Sequence, residues 1–153
     1  MQVLFVCTGN TCRSSMAEYL FRDMVKESGR EDEITIASAG VSATADNPAA
    51  DQAIEVLSRR GIGEIEDHTA TPVSDEVVKD VDLILTMTQS HKRMLLNQYP
   101  ELEERVYTLK EYTKQEQEDG DLDIKDPYGQ PVEVYQACAD EIMIRLRRLL
   151  KQL

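Results

Sequence analysis

Residues Gln2 to Ser15 read QVLFVCTGNTCRSS, and the fold turns on this stretch. Gln2 to Val6 is an apolar, β-branched run too short for a helix, and it ends at Cys7. From Met16 to Val25 the apolar residues Ala17, Leu20, Phe21, Met24 and Val25 recur at helical spacing. The pattern is a strand, a tight loop and an amphipathic helix. The same alternation continues. Ile34 to Ala37 is a second β-rich run leading into Ser38-Ala39-Gly40. Asn47-Pro48 then offers a cap and a first-turn proline for a helix with Ala50, Ala53, Ile54 and Leu57 on one face, closed by Gly61 and Gly63.

Ser74 is placed to cap a short helix through Lys79, and Val81 to Thr86 reads as a buried strand. A helix is expected over Gln89 to Tyr99 and a fourth strand over Arg105 to Leu109, followed by the polar, acid-rich stretch Tyr112 to Lys125. In Pro131 to Leu153, residues Tyr135, Cys138, Ile142, Leu146 and Leu149 share a helical stripe. Arg145, Arg147, Arg148 and Lys151 gather toward the end of that helix, where its dipole favours cations. Strands alternating with helices make βαβ units, hence an α/β domain with a mostly parallel sheet and helices on both faces. No repeat or linker divides it, so residues 1–153 are expected to form a single domain.

Composition narrows the partners. The chain has 153 residues, 41% of them hydrophobic, which suffices for one core. With 17 Lys and Arg against 29 Asp and Glu, the net charge is -12, which argues against nucleic acid, whose affinity rests on cations meeting phosphate. No apolar run approaches the ~18 residues a spanning helix needs, and the N-terminus lacks the basic flank of a leader, so no membrane association and a cytoplasmic monomer are expected. The three cysteines, Cys7, Cys12 and Cys138, are too few for a disulfide framework. With only His68 and His91 beside them, no metal or other cofactor is expected.

In parallel α/β sheets ligands bind beyond the carboxyl ends of the strands, which points to the loop Cys7-Thr8-Gly9-Asn10-Thr11-Cys12-Arg13-Ser14-Ser15. Gly9 and Asn10 tolerate left-handed backbone angles, so the loop can curl and aim successive N–H groups at one point. A nest opening onto a helix N-terminus suits an oxyanion of phosphate size. Arg13 adds a planar fork of donors. Cys7 would sit beneath the phosphorus, in a field that favours the nucleophilic thiolate. A lone Cys ending a strand is most often a small core residue, and a lone Arg a surface group. Their spacing around Gly-Asn in a strand-loop-helix context sets this pair apart.

Cys7-Thr8-Gly9-Asn10-Thr11-Cys12-Arg13-Ser14 resembles the phosphate-binding loop of the low-molecular-weight protein tyrosine phosphatases. The likeness spans nearly the whole chain, through Ser38-Ala39-Gly40, the segment around His68, the strand at 81–86 and Asp126-Pro127-Tyr128. It implies a three-layer fold around a central four-stranded parallel sheet, and metal-free phosphoester hydrolysis in two steps. Cys7, Arg13 and Asp126 become the expected catalytic residues, with phosphate and substrate held by Thr8, Gly9, Asn10, Thr11, Cys12, Ser14 and Tyr128. One carboxyl must protonate the leaving group and then activate water. The acidic stretch alone does not select it from Asp119, Asp121, Asp123 and Asp126; the resemblance selects Asp126, whose backbone Pro127 restricts.

The resemblance also makes Ser14 a hydrogen-bond donor to the thiolate, and places Ser38 and His68, with Asn10, in a network that holds the loop. It favours Cys12 as a redox partner forming a reversible disulfide with Cys7. Ser15 departs from the proline common in the family, a change that affects rigidity. His91 has no match and reads as a surface helix residue, and Cys138 as core.

Thr11 stands where tyrosine-directed members carry a bulky aliphatic residue that packs on a phenyl ring, and it resembles the bacterial branch acting on phosphoarginine. A hydroxyl can accept a hydrogen bond from a guanidinium, and the Asp126 carboxylate can pair with one. Ala43 to Asn47 contains no aromatic residue, which leaves Tyr128 to stack on a flat group. The expected activity is therefore a protein-arginine phosphatase acting on phosphorylated proteins. The alternatives are a protein tyrosine phosphatase, an arsenate reductase, for which relay cysteines are missing at 81–99, and a phosphocysteine carrier, which has no need of Asp126-Pro127.

Overall fold

The computed structural model describes residues 1–153. Elements follow in the order β1 (Gln2–Cys7), α1 (Arg13–Glu27), β2 (Thr35–Gly40), α2 (Asp51–Ser58), α3 (Asp75–Val78), β3 (Leu83–Thr86), α4 (Gln89–Gln98), β4 (Val106–Thr108), α5 (Leu109–Tyr112) and α6 (Val132–Gln152). The four strands form one sheet in the order β2-β1-β3-β4. Every pairing is parallel, with Cys7 opposite Gly40 and Val6 opposite Thr86.

Side chains alternate across a strand, so β1 feeds two cores. Val3, Phe5 and Cys7 face a layer built from α1, α2 and α6, where Phe21, Leu57, Ile142 and Leu146 are buried. Phe5 meets Phe21 edge-to-face at 5.8 Å between ring centres, a favoured aromatic geometry. Leu4 and Val6 face the opposite layer, with Val78 of α3, Leu95 of α4 and Tyr99. The expected three-layer arrangement is present. Strand order reverses direction on either side of β1, so the crevice beyond the carboxyl ends of β1 and β3 lies at the switch point where such sheets bind ligands.

Local expectations shift in three places. The second helix begins at Asp51 rather than at Pro48, because Asn47 and Pro48 are engaged elsewhere. Pro48 bridges Thr69, and the Ala70 N–H donates to the Asn47 carbonyl at 2.7 Å. The fourth strand is only Val106–Thr108, since Thr108 and Glu111 form a reciprocal capping box that turns Leu109 into the start of α5. Finally, α1 starts at Arg13, bringing the end of the loop inside the first helical turn.

Candidate active site

Cys7 ends β1 with its side chain buried, and Ser14 Oγ stands 2.9 Å from its sulfur. The Asn10 N–H also donates to Cys7 Sγ at 3.3 Å. Asn10 alone takes the left-handed conformation, at φ 59°, whereas Gly9 does not, which corrects the expectation that both residues supply the curl. A short polar side chain tolerates that conformation because it can bond locally. Here Nδ2 donates to Ser14 Oγ at 2.8 Å and Ser38 Oγ at 2.9 Å, while Oδ1 accepts from the Thr71 N–H at 2.9 Å. Ser14 Oγ, already accepting from Asn10, has one proton, for which Cys7 Sγ at 2.9 Å is the nearer acceptor and the Ala39 carbonyl at 3.5 Å the farther. The Ser14 hydroxyl and the Asn10 N–H are thus both aimed at the sulfur.

The network continues away from the sulfur. His68 Nε2 donates to the Asn10 carbonyl at 2.8 Å, and its Nδ1 lies 3.2 Å from the Tyr19 hydroxyl and 4.0 Å from a Glu18 carboxylate oxygen. Ser38 Oγ donates to the buried Glu18 carboxylate, which also pairs with Arg22. Burial pushes the Glu18 acid above its ordinary range, against the opposing pull of Ser38 and Arg22. Gly40 is required sterically: a Cβ there would lie 2.5 Å from the Thr8 carbonyl oxygen and 3.0 Å from the Asn10 nitrogen. Asn10, Ser14, Ser38 and His68 thus come together as expected. Glu18, Tyr19 and Thr71 join them without having been singled out, although Glu18 carried a visible signal, being a carboxylate one turn from both Ser14 and Arg22.

Arg13 is 4% exposed. Its Nη1 donates to the Ile124 carbonyl at 2.9 Å, and Nη2 lies 3.4 Å from Asp126 Oδ2. The buried Nε–H has no protein partner, leaving a donor that an oxyanion would satisfy. The Asp126 side chain is 53% exposed, and its Oδ1 accepts from the Tyr128 N–H at 3.1 Å. Between these groups opens a cavity of about 270 Å³, lined by Cys7, Thr8, Gly9, Thr11, Cys12, Arg13, Ser42, Thr44, Asn47, Asp126 and Tyr128. A larger cleft of about 500 Å³ runs beside Tyr19, Arg22, Lys26 and Ile62 and contains no cysteine and no cradle residue.

Cys12 caps α1 from a buried position, with Tyr135 Oη 3.2 Å and Thr11 Oγ1 3.7 Å from its sulfur. Burial pushes this thiol up, opposed by the Tyr135 hydroxyl. Cys138 is buried among α6 core residues, where burial raises its thiol to about 12. His91 is not a surface residue. It is 4% exposed, its Nε2 sits 2.8 Å from Thr8 Oγ1, and burial, reinforced by the nearby Arg13 cation, pulls its titration down to about 4. The sequence hint was its position four residues before Leu95, on the inward face of α4. No group of three or more His, Cys, Asp or Glu is placed to hold a metal ion, and no helix is long and apolar enough to cross a membrane.

A strand-loop-helix phosphate cradle on a four-stranded parallel sheet defines a known class. The family described as low molecular weight phosphotyrosine protein phosphatase matches residues 2–153. The chain belongs to that family and is an enzyme. It is 37% identical to a protein-arginine-phosphatase of Bacillus subtilis (strain 168), over 100% of this chain and 97% of the relative. Among solved structures, it superposes on the YwlE arginine phosphatase, in a mutant form with a phosphorylated active-site serine, with TM-score 0.92 and 37% identity, covering 100% of this chain and 95% of that one. It also superposes on a low molecular weight protein tyrosine phosphatase from T. tengcongensis with TM-score 0.91 and 44% identity, covering 100% and 99%.

Proposed function

We propose that the chain is a protein-arginine phosphatase that hydrolyses phosphoarginine in proteins through a phosphocysteine on Cys7. The observation that carries the choice of substrate is the cavity wall. Thr11, Ser42, Thr44 and Asn47 give it hydroxyl and amide groups, and its one aromatic residue, Tyr128, is 73% exposed at the rim. A phenyl ring finds no Val, Leu, Ile or Met side chain in that lining to pack against. A guanidinium finds the Thr11 hydroxyl as an acceptor, the Asp126 carboxyl as a hydrogen-bond partner and the Tyr128 ring as a stacking surface. The likeness to proteins named arginine phosphatase over the full chain supports the same reading.

The chemistry follows from the hydrogen bonds. Loop N–H groups from Thr8 to Ser14 and the Arg13 fork hold the phosphoryl oxygens. The Cys7 thiolate attacks phosphorus and the P–N bond breaks. Its electron pair stays on the leaving nitrogen, which takes a proton from Asp126. The Asp126 carboxylate then removes a proton from the water that attacks phosphocysteine. The S–P bond breaks toward a sulfur stabilised by Ser14, and phosphate leaves. Ser38 and His68 act through Asn10 by keeping the loop curled. Cys12, in the same cavity, is the redox partner of Cys7: after a hydroperoxide converts Cys7 to a sulfenic acid, the Cys12 thiol displaces water and closes a disulfide. The enzyme is read as a cytoplasmic monomer needing no cofactor.

A tyrosine-directed activity is the second reading, favoured by the 44% identity to a protein named as a tyrosine phosphatase. The covalent mechanism is tested with the Cys7→Ser variant, which retains the cradle donors. It is expected to bind inorganic phosphate in calorimetry while showing no turnover of phosphoarginine peptide, and rapid-quench mass spectrometry of wild type should place a phosphoryl group on Cys7. Turnover by Cys7→Ser near the wild-type rate overturns the mechanism.

A further inference from the structure

His91 remains unaccounted for by that chemistry. It lies in the first turn of α4, on the buried side of a helix whose neighbouring Gln89, Ser90 and Arg93 are exposed. A buried imidazole is kept where its polar atoms find use. Nε2 lies 2.8 Å from Thr8 Oγ1, across 83 residues of chain, and Nδ1 is buried without a partner. Thr8 follows Cys7 directly and lines the cavity with Cys7 and Arg13.

We propose that His91 is a positioning residue that fixes the Thr8 hydroxyl with its proton directed into the cradle, giving the bound oxyanion a side-chain donor besides Arg13. This rests on the phosphate-binding reading of the site. The orphaned Nδ1 decides the direction of the bond. A proton on Nδ1 would bury an unpaired N–H, the costlier kind of orphan, whereas a proton on Nε2 leaves only an unpaired acceptor and donates to Thr8. Thr8 Oγ1, once it accepts, has its own proton to give, and Thr8 lines the cavity.

Charged groups around the ring keep this state in place. Burial and the Arg13 cation oppose a second proton, Asp123 and Asp126 favour one, and the balance leaves the ring neutral above about pH 4. His91 therefore acts as a fixed donor across the neutral range.

The test uses inorganic phosphate as the probe, measured by calorimetry on the full chain. Thr8→Val and His91→Leu are each expected to weaken phosphate binding about ten- to a hundredfold, the range of one hydrogen bond to a charged group. The double variant should be no weaker than the worse single one, because both remove the same donor. His91→Gln, whose amide can donate from the place of Nε2, should bind within about twofold of wild type. Nitrogen-15 spectra should show the His91 proton on Nε2, a readout that requires no variant to fold. Unchanged affinity in Thr8→Val or His91→Leu, additive losses in the double variant, or a proton on Nδ1 overturns the assignment. If the wild type binds phosphate and the variants match it, this role alone falls. If the wild type binds none, the cradle falls and this role with it.

Discussion

Asn10 engages every polar atom it has. Its N–H meets Cys7 Sγ, its carbonyl meets His68, and its amide meets Ser14, Ser38 and Thr71. Thr11 beside it lines the cavity next to Cys7, and in the proposed reading its hydroxyl is the acceptor for a guanidinium. Replacing Thr11 with Ile adds apolar surface and removes the acceptor. The ratio of kcat/KM for phosphoarginine over phosphotyrosine peptides should fall by about tenfold or more, and an unchanged ratio would remove Thr11 from the account of specificity. At this scale the sequence is informative only where partners are close along the chain. Cys7, Asn10, Arg13 and Ser14 share one loop and could be read together. His91 and Thr8 are 83 residues apart, and Tyr19 and His68 are 49 apart, so only the folded chain shows that they meet. Asp126 needed the family likeness, because its acidic neighbours are chemically identical until folding places one beside Arg13.

The elements that carry the loop are joined by backbone contacts as much as by packing. The end of β2 lies against the loop, with the Val41 N–H donating to the Cys7 carbonyl and the Ser42 N–H to the Thr8 carbonyl, each at 2.9 Å. The start of α2 is tied in through the Ala50 N–H, which donates to the Thr11 carbonyl at 2.9 Å. Gly40 permits this close approach, so Gly40→Ala forces backbone against backbone. It should lower stability in urea by about 1–3 kcal/mol, the range for overpacking, and lower activity through displacement of Thr8 and Asn10. A variant with wild-type stability and rate would show that the loop can yield. Hydrophobic periodicity revealed the strands and long helices because their buried faces repeat. Asn47-Pro48 misled for a physical reason: the same residues that cap helices also suit the extended bridge to Thr69 and Ala70, and that tertiary pairing prevails.

Over the whole molecule, two groups tie stability to pH in the same direction. His91 titrates near 4 in the native state against 6.5 when free, chiefly through burial. Its contribution is present above pH 6.5 and disappears as the pH falls toward 4, because the unfolded chain takes up the proton first. Glu118 is held down to about 2 by Arg145, with Arg148 assisting, so its contribution disappears as the pH falls from 4.5 toward 2. Urea midpoints should therefore decline below pH 6.5, and His91→Gln should flatten the slope between 6.5 and 4. A slope unchanged by that substitution would contradict the burial of a neutral His91.

A net charge of -12 gives no general attraction for a phosphorylated partner, so affinity must come from the cradle and from what the rim recognises. The most direct measurement is kcat/KM for two peptides of one sequence, differing only in whether they carry phosphoarginine or phosphotyrosine. A wall with no Val, Leu, Ile or Met side chain and with one aromatic residue at the rim predicts a preference for phosphoarginine of about tenfold or more. Equal turnover, or a preference for phosphotyrosine, would contradict it.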